Sequence, residues 1–266
     1  MNGGGGRAMT HTIDEILRAS AAWVWFPRDS DQQKNHLQLV RYPARFGGGV
    51  RGSQVDSDAD PVTVLDHAIE HTRAWRETEL RFWTNTSDRP DLEEELRRRG
   101  AEHVDTVAVF ARPIEGSIVD VPLGISAEVV RTLDQVREVD QINVPVWQQQ
   151  PLDEEGLRVE LDEITSNLDA GKIFRVLARF DADGEAVSTG GCTIADGFAR
   201  LWGAATLEHA RGRGAYRAVL AERLRVSAAL GATTALVKGR TATSAPILAR
   251  AGFTHHGDER GYRLTV

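Results

Sequence analysis

The sequence is poor in the residues that mark several classes of protein. Its 266 residues include one cysteine, two methionines and only 6% aromatic residues. A lone cysteine, Cys192, cannot form a disulfide within the chain, which excludes a disulfide-stapled fold and favours a reducing, cytoplasmic setting. The longest apolar stretch near the start, residues 21–26, is far below the roughly 18 residues of a membrane span. We therefore expect neither a secretory signal nor a membrane segment.

Charge is present in both signs but is unevenly divided. Lysine and arginine total 32 against 39 acids, which gives a formal net charge of -7. This balance excludes a dedicated nucleic-acid binder and suits a cationic partner better. With 41% hydrophobic residues the chain has enough apolar surface for about two domains of roughly 150 residues.

A change of composition near residues 113–124 predicts the domain boundary. Pro113, Gly116, Ser117, Pro122 and Gly124 interrupt a segment that has no helical periodicity. We therefore predict a domain over residues 11–115, a linker over 116–123 and a second domain over 124–266. Residues 1–10, which carry a glycine tract, are expected to form a flexible leader.

Periodicity in the first half predicts alternating helices and strands. The predicted elements are a helix over 12–22, a strand over His36–Phe46, a helix carrying Val62, Leu65, Ile69 and Trp75, a strand over Glu79–Thr84, a helix over Asp91–Arg99 and a strand over Val104–Phe110. The half is therefore α/β or α+β.

The second half gives a similar alternation. Two helices are predicted first, with the apolar stripes Val129, Leu133, Val136 and Val139, and Leu157, Leu161, Ile164 and Leu168. Three strands follow, over Ile173–Phe180, Ala186–Ile194 and Phe198–Thr206. The last predicted elements are a helix with Tyr216, Val219, Leu220 and Leu224 on its apolar face and a strand over Thr233–Lys238.

A glycine-rich junction, Arg211-Gly212-Arg213-Gly214-Ala215-Tyr216, joins the strand ending at Thr206 to the following helix. Such a junction directs unpaired backbone amides and the positive end of a helix dipole at one point, which attracts phosphate. The junction is neither a dinucleotide fingerprint nor a Walker loop. The alternative interpretation is a plain glycine turn with solvated arginines.

In its context this junction resembles the acyl-coenzyme A loop of the GNAT acetyltransferase superfamily, [QR]xxGx[GA]. Arg211 and Gly214 match the pattern, and Tyr216 departs from it. The order of elements over residues 124–266 and the run Ala249-Arg250-Ala251-Gly252-Phe253 are also similar to that family. The resemblance implies a mixed central sheet flanked by helices, in two tandem copies of which the N-terminal one is degenerate.

The resemblance also implies how acetyl-coenzyme A binds as co-substrate. The backbone of Ala205, Thr206 and Leu207 would pair with the pantetheine arm. The pyrophosphate would lie against the amides of the run Gly212, Arg213, Gly214, Ala215 and Tyr216, and Thr243 or Ser244 would lie near the far end of the coenzyme. For Thr243 a helix N-cap is an equal alternative.

The acid and base of the transfer are harder to assign. Many relatives carry a tyrosine acid where this sequence has Leu248. The base candidates are Asp196, Glu208 and His209. The alternative for Asp196 is a structural aspartate in a hairpin turn, and the alternative for Glu208 and His209 is solvation in a loop. His255 and His256 are weaker candidates, and Cys192 is expected to be a buried small hydrophobe.

The acceptor is expected on the side of the first two helices of the second half. Residues 153–163 hold six acids, Asp153, Glu154, Glu155, Glu160, Asp162 and Glu163, which form either a cation-binding rim or a solvated helix face. In the first half, His67-Ala68-Ile69-Glu70-His71 spells a metalloprotease pattern, for which chance is the better explanation. We expect no metal, and no coenzyme in the first half.

We therefore predict an acetyl-coenzyme A-dependent N-acetyltransferase acting on an amine of a small molecule or protein. The alternative is a non-catalytic acyl-coenzyme A sensor or interaction module, and a metal hydrolase built on His67 and His71 is a remote third. The sequence leaves the acceptor and the oligomeric state open, a homodimer included.

Overall fold

The structure is a computed structural model that describes residues 11–27, 29–44, 47–56, 58–85, 89–116, 119–240 and 244–266. The predicted leader, residues 1–10, and the predicted coenzyme contact Thr243 lie outside the described residues. Two compact units are present. Unit 1 contains His11, 111–237 and 250–253, and unit 2 contains 12–110, 238–249 and 254–266.

Unit 1 is built on strands in the order β10-β9-β8-β7-β6. The strands are β6 (Ile125–Val129), β7 (Ile173–Phe180), β8 (Ala186–Ala195), β9 (Phe198–Thr206) and β10 (Thr234–Arg240, in unit 1 as far as Val237), and the helices are α4 (Leu133–Trp147), α5 (Glu154–Asp169) and α6 (Ala215–Ala229). β9 and β10 are parallel, whereas the neighbouring pairs in the sheet are antiparallel. The sheet is therefore mixed.

Strand alternation gives this sheet two buried faces. Leu177 of β7 joins the apolar cluster of α4 and α5. The adjacent residue, Val176, pairs with Gly190, whose position lies against Val219 and Arg223 of α6. Successive strand residues point to opposite faces, so α4 and α5 cover one face and α6 covers the other.

Unit 2 contains strands in the order β1-β2-β3-β4-β11-β5. They are β1 (Asp31–Lys34), β2 (Gln38–Arg41), β3 (Val50–Ser53), β4 (Glu79–Asn85), β5 (Glu102–Pro113, in unit 2 as far as Phe110) and β11 (Thr254–Thr265). The helices are α1 (Ile13–Ala21), α2 (Pro61–Ala74), α3 (Pro90–Arg98) and α7 (Ala245–Arg250). β3 and β4 are parallel, so each unit has a parallel strand pair whose strands are separated in the chain by a helix.

Most predicted elements are confirmed within one or two residues, because their starts are set by local caps. Thr12 and Thr132 each form a reciprocal capping box, with Glu15 and Gln135 respectively. Asp153 accepts a backbone hydrogen bond at the start of α5. These bonds satisfy N–H groups that the helix itself leaves unpaired.

Two predicted elements were wrong in extent, and four strands were not predicted: β11 and three shorter ones. Val129 ends β6 rather than starting a helix, because the capping box at Thr132 starts α4 three residues later. Within the predicted strand 36–46 only Gln38–Arg41 is a strand, and residues 45 and 46 lie outside the described residues. The missed strands β1, β3 and β6 have four or five residues each, too few to show a clear alternation.

The compact units differ from the predicted domains at the C-terminus. β11 pairs antiparallel with the whole of β4, from Glu259↔Asn85 to Thr265↔Glu79. This pairing places 254–266 in the unit that contains 12–110. The division at residues 116–123 stays a prediction. Among the described residues no helix has the length and apolar character needed to cross a bilayer.

Candidate active site

A bulge interrupts β9 of unit 1 next to its middle. Thr189 pairs with Ala205 and Gly191 with Trp202, so Gly203 and Ala204 lie opposite the single residue Gly190. Gly203 has φ of +59°, a left-handed conformation that a glycine adopts without strain. A bulge leaves backbone groups outside the regular ladder of hydrogen bonds between strands. The amide and carbonyl groups of Gly203 and Ala204 therefore lie outside the ladder that joins β9 to β8.

The parallel pairing of β9 with β10 covers only the first half of β9. The register runs from Phe198↔Thr234 to Leu201↔Val237. Of the remaining residues of β9, Trp202, Ala205 and Thr206 pair with β8, and none of the residues from Trp202 to Thr206 is in the β10 register. Gly203 and Ala204 are exposed there. An extended ligand that follows this part of β9 would meet backbone groups in the manner of an added strand.

The chain then makes a 3-10 turn, Glu208–Ala210, and enters α6 through Gly214. Gly214 is the N-cap, with φ of +94° and no side-chain hydrogen bond to the first turn of the helix. The amides at the start of a helix have no partners within the helix, and here no capping side chain supplies one. The predicted run of amides from Gly212 to Tyr216 thus forms a strand-to-helix junction suited to an anion, although the N–H of Arg213 already donates to the carbonyl of Ala210 at 3.4 Å.

A segment of unit 1 just before β6 packs on this junction. A side chain at position 214 would begin 2.4 Å from Cγ of Pro122. Arg217, in the first turn of α6, lies 3.3 Å from Asp120. The close approach of Pro122 and the positive φ each require glycine at 214, whatever ligand binds there.

The two arginines of the junction have different partners. Arg211 donates from Nε to the carbonyl of Thr206 at 3.3 Å. The Arg213 guanidinium lies 3.9 Å from the centre of the Phe180 ring, in a cation–π contact. Arg213 is therefore directed to β7, and its side chain is engaged away from the backbone amides of the junction.

A polar cluster lies on the sheet face covered by α4 and α5. Trp202 packs over Gly191, and its Nε1 donates to Thr193 Oγ1 at 3.0 Å. Arg175 lies 4.9 Å from the Trp202 ring centre and 3.4 Å from Glu160 of α5. Burial lowers the pKa of Arg175, and the nearby Glu160 opposes this shift. The cluster adjoins the bulge, because Trp202 directly precedes Gly203.

The three predicted bases lie away from the bulge or bind other partners. Asp196 lies in the turn before β9 with its side chain 85% exposed, 3.6 Å from Arg200. Strand geometry puts it roughly 20 Å from Gly203, at about 3.3 Å per residue. His209 lies 3.2 Å from Glu185. Glu208 is exposed in the 3-10 turn.

The remaining predicted positions also have defined surroundings. Ala205 is buried, its carbonyl accepts a bond from the Ser188 hydroxyl, and the N–H of Leu207 donates to the carbonyl of Val187. Cys192 is buried, which raises the pKa of its thiol to about 11. It is therefore a protonated thiol at neutral pH, as expected of a buried small hydrophobe.

In unit 2, Ser244 precedes α7 and its N–H donates to the carbonyl of Arg240 at 3.0 Å. Leu248, where the resemblance predicted from the sequence would place a tyrosine acid, is 2% exposed and lies close to Gly239. His255 lies 2.8 Å from Asp258, and burial lowers the pKa of His256. Leu248 is a core residue, and its side chain has no acidic proton to donate.

The metalloprotease-like pair lies on α2 of unit 2. The His67 and His71 rings are 4.3 Å apart, and His67 Nε2 lies 2.9 Å from the side-chain oxygen of Gln33. Over the part of the chain that the structure describes, no group of three His, Cys, Asp or Glu side chains is placed to hold a metal ion.

Sequence reasoning missed the bulge and the Trp202 cluster. A glycine inside a strand pattern is a known signal for a bulge, and Gly203 lies inside the predicted strand Phe198–Thr206. Arg175 and Trp202 give no such local signal, since they become neighbours only across three paired strands.

Known structures have the same fold, although no protein-family model and no curated protein sequence matches this chain. A GCN5-related N-acetyltransferase from Kribbella flavida superposes with a TM-score of 0.64 at 20% identity, over 89% of this chain and 90% of that one. One from Sphaerobacter thermophilus gives 0.66 at 16% identity, over 95% and 85%. A tandem GNAT protein from the clavulanic acid biosynthesis pathway gives 0.66 at 15% identity, over 97% and 89%.

These similarities define the class of fold. The chain has the mixed-sheet fold of the GCN5-related N-acetyltransferases, and one similar structure carries it as a tandem. The predicted fold class is confirmed.

Proposed function

We propose that this chain is a distant member of the GNAT superfamily and that unit 1 is an acetyl-coenzyme A-dependent N-acetyltransferase. One observation carries the proposal: the bulge at Gly203 is followed, eleven residues later, by a helix N-cap, Gly214, that offers no side-chain acceptor. The first feature suits a thioester carbonyl and pantetheine arm, and the second suits a pyrophosphate.

In this proposal the backbone of unit 1 holds the coenzyme. The open edge of β9 around Ala204 and Thr206 pairs with the pantetheine amides, and the amides from Gly212 to Tyr216 receive the pyrophosphate. The coenzyme supplies an activated acetyl thioester. An amide at the bulge would donate to the oxygen that becomes negative, a contribution typically near 3 to 4 kcal/mol for one well-placed donor.

The acceptor amine approaches from the face covered by α4 and α5. Its nitrogen must lose a proton, attack the thioester carbon and displace the thiolate, which then takes up a proton. Glu160, whose side chain is 34% exposed, lies 3.4 Å from Arg175 of the Trp202 cluster and is the carboxylate proposed to receive an ammonium, which would share it with Arg175. Water is then the simplest proton acceptor.

The predicted alternative, a non-catalytic acyl-coenzyme A sensor, has its own supporting observations. Leu248 is a core residue, His209 lies against Glu185, and Asp196 is remote from the bulge. A thiolate of pKa about 8 to 9 can leave without an acid, so these features slow acetyl transfer but do not forbid it. The enzyme therefore remains the better-supported function.

The experiment that tests the proposal is calorimetric titration of the full chain with acetyl-coenzyme A, followed by thiol release over a panel of primary amines. We expect saturable binding, and thiol release with at least one class of amine. Binding without thiol release on any amine would favour the sensor, and absence of binding would leave only the fold in common with acetyltransferases.

A further inference from the structure

Unit 2 contains a cavity of about 300 Å³, which lies at the small end of the range for small-molecule sites. It forms where the parallel strands β3 and β4 stop pairing. Their register ends at Gly52↔Phe82, and the next residues, Ser53 on one strand and Trp83 on the other, line the cavity. The carboxyl ends of parallel strands are a frequent position for ligand sites in α/β proteins.

The walls of this cavity are flat and aromatic. Trp23, Trp25 and Trp83 line it, which is three of the six tryptophans of the chain. Tyr42 is buried beside them, with its hydroxyl donating to the carbonyl of Trp25, and Arg51 stacks 3.8 Å above the Tyr42 ring. Burial raises the pKa of Tyr42, so the phenol stays neutral. Such walls favour a planar ring system.

The polar end of the cavity is a partly buried ion pair. Lys238 Nζ lies 2.8 Å from Glu259 and also donates to the carbonyl of Trp23 at 3.3 Å. Glu259 accepts a further bond from the Ser20 hydroxyl at 2.6 Å. An ammonium has three donors, so two are used within the described residues and one remains for a ligand.

The charged side chains that line the cavity, and their partners, indicate the charge of the ligand. Three cationic side chains, Arg51, Arg89 and Lys238, line the cavity against one carboxylate, Glu259. Arg89 is neutralised by Asp91, and Glu259 is neutralised by Lys238. Among the described lining residues, a cationic ligand would find the one carboxylate, Glu259, already engaged by Lys238 and Ser20, whereas an anion would meet the remaining donor of Lys238.

We propose that this cavity of unit 2 binds a planar aromatic carboxylate, with its rings between the tryptophan faces and its carboxylate on Lys238. The proposal does not depend on acetyl transfer in unit 1. The cavity is also distinct from a second coenzyme site. Asp60 caps α2 and places a carboxylate at the helix start, where the phosphate of a coenzyme would have to bind.

The test uses 2-naphthoate as probe and the full chain labelled with ¹⁵N at tryptophan. We expect saturable shifts of the indole N–H signals of Trp23, Trp25 and Trp83, and none for Trp147, which lies on α4. The size-matched cation 2-naphthylmethylammonium and the non-aromatic anion cyclohexanecarboxylate should each bind at least tenfold more weakly.

Variants locate the site. Trp83→Leu removes one wall and should weaken naphthoate binding at least tenfold, whereas Trp147→Leu, at a tryptophan that is 53% exposed, should change it less than twofold. The pair Lys238→Met with Glu259→Gln removes both charges together, so that neither is left buried alone, and should lower affinity for naphthoate toward that for 2-naphthalenemethanol. Circular dichroism checks that each variant is folded.

Three results would overturn the proposal. They are absence of saturable shifts at millimolar naphthoate, equal affinity for the cationic probe, and unchanged binding in a folded Trp83→Leu variant. Gly212→Asp, which places a carboxylate in the junction of unit 1, separates the two sites: naphthoate binding should persist in it. Displacement of naphthoate by acetyl-coenzyme A in that variant would make the cavity a coenzyme site and would also contradict the proposal.

Discussion

The two units contain the same local arrangement, a strand that leads through a loop into a helix and then to a parallel partner strand, yet the two helices begin differently. In unit 1, α6 begins at Gly214 without a capping side chain. In unit 2, α2 begins at Asp60, whose carboxylate accepts from the N–H of Thr63 at 2.9 Å and from its hydroxyl at 2.8 Å. Pro61 removes one further N–H from that helix start.

The difference shows that a shared arrangement does not give a shared ligand site. The first amides of α2 already have an anionic partner within the protein, which stabilises the helix and repels phosphate. The corresponding amides of α6 have no side-chain partner, which leaves the junction less stable on its own and suited to an anion from outside. The predictions below test this contrast.

The largest expected effect is the loss of coenzyme binding on Gly212→Asp. Gly212 has φ of +75° and no atom within 4 Å of an added Cβ, so aspartate has room and, at some cost in backbone strain, brings a negative charge to the proposed anion site. At an effective dielectric near 20, repulsion at about 4 Å predicts a loss of affinity for acetyl-coenzyme A of at least 100-fold.

Gly212→Asn is the matched control, since asparagine has the same shape and tolerates the same backbone conformation. It should retain affinity within about tenfold. Calorimetry should give one coenzyme per chain in the wild type and none in Gly212→Asp. If Gly212→Asp still bound one coenzyme per chain, that coenzyme would lie away from this junction, and the proposed difference between the units would be refuted.

The next effect concerns the acceptor side of unit 1. Glu160→Gln removes the carboxylate proposed to receive the substrate ammonium, and a hydrogen bond to a charged group is worth about 1.5 to 3 kcal/mol. We expect KM for the amine to rise about tenfold or more, while the Kd for acetyl-coenzyme A changes less than twofold. Steady-state kinetics with calorimetry measures both, and a change in coenzyme affinity alone would refute this role of Glu160.

A smaller effect is expected at the cap of unit 2. Asp60→Ala removes the acceptor for Thr63 and should lower Tm by about 2 to 4 °C, with Asp60→Asn less affected. The hydrogen bonds from Thr63 lower the pKa of Asp60. The stabilisation is therefore present at neutral pH and is lost as pH falls through this lowered pKa, below about 3.9.

Thermal melting of wild type and Asp60→Ala at pH 7 and near pH 3 measures this loss, and the Tm difference should be smaller in acid. Coenzyme stoichiometry should stay at one per chain in Asp60→Ala. Removing the cap frees the N–H of Thr63 but does not create a glycine-rich loop before α2. A second coenzyme per chain in this variant would show that the cap alone separates the two junctions.

The smallest effect is expected at Asp120, which lies 3.3 Å from Arg217 in the first turn of α6. Both side chains are largely exposed, so the pair is weak. Asp120→Asn removes an anion near the proposed phosphate site and should tighten coenzyme binding about two- to threefold. Asp134→Asn, on an exposed pair with Arg137, serves as the surface control and should leave affinity unchanged.

Sequence patterns predicted much of unit 1 and less of unit 2. The strands Ile173–Phe180 and Phe198–Thr206 have the predicted bounds, because both carry long runs of strand-forming residues beside turn residues. The strand β3 was hidden within a glycine-rich stretch, and the site residue Arg175 was hidden within an ordinary strand. Neither has a local pattern that differs from its surroundings.

The sequence by itself determined the features that depend on neighbouring residues: the helix caps, the tight turns and the glycine junction before α6. Each follows from the conformational preferences and hydrogen bonds of a few consecutive residues. Only the tertiary structure decided that β11 pairs with β4, that Gly203 and Ala204 oppose Gly190, and that Trp23, Trp25 and Trp83 line one cavity. These features join residues far apart in the chain, and the packing that brings such residues together leaves no local signal in either segment.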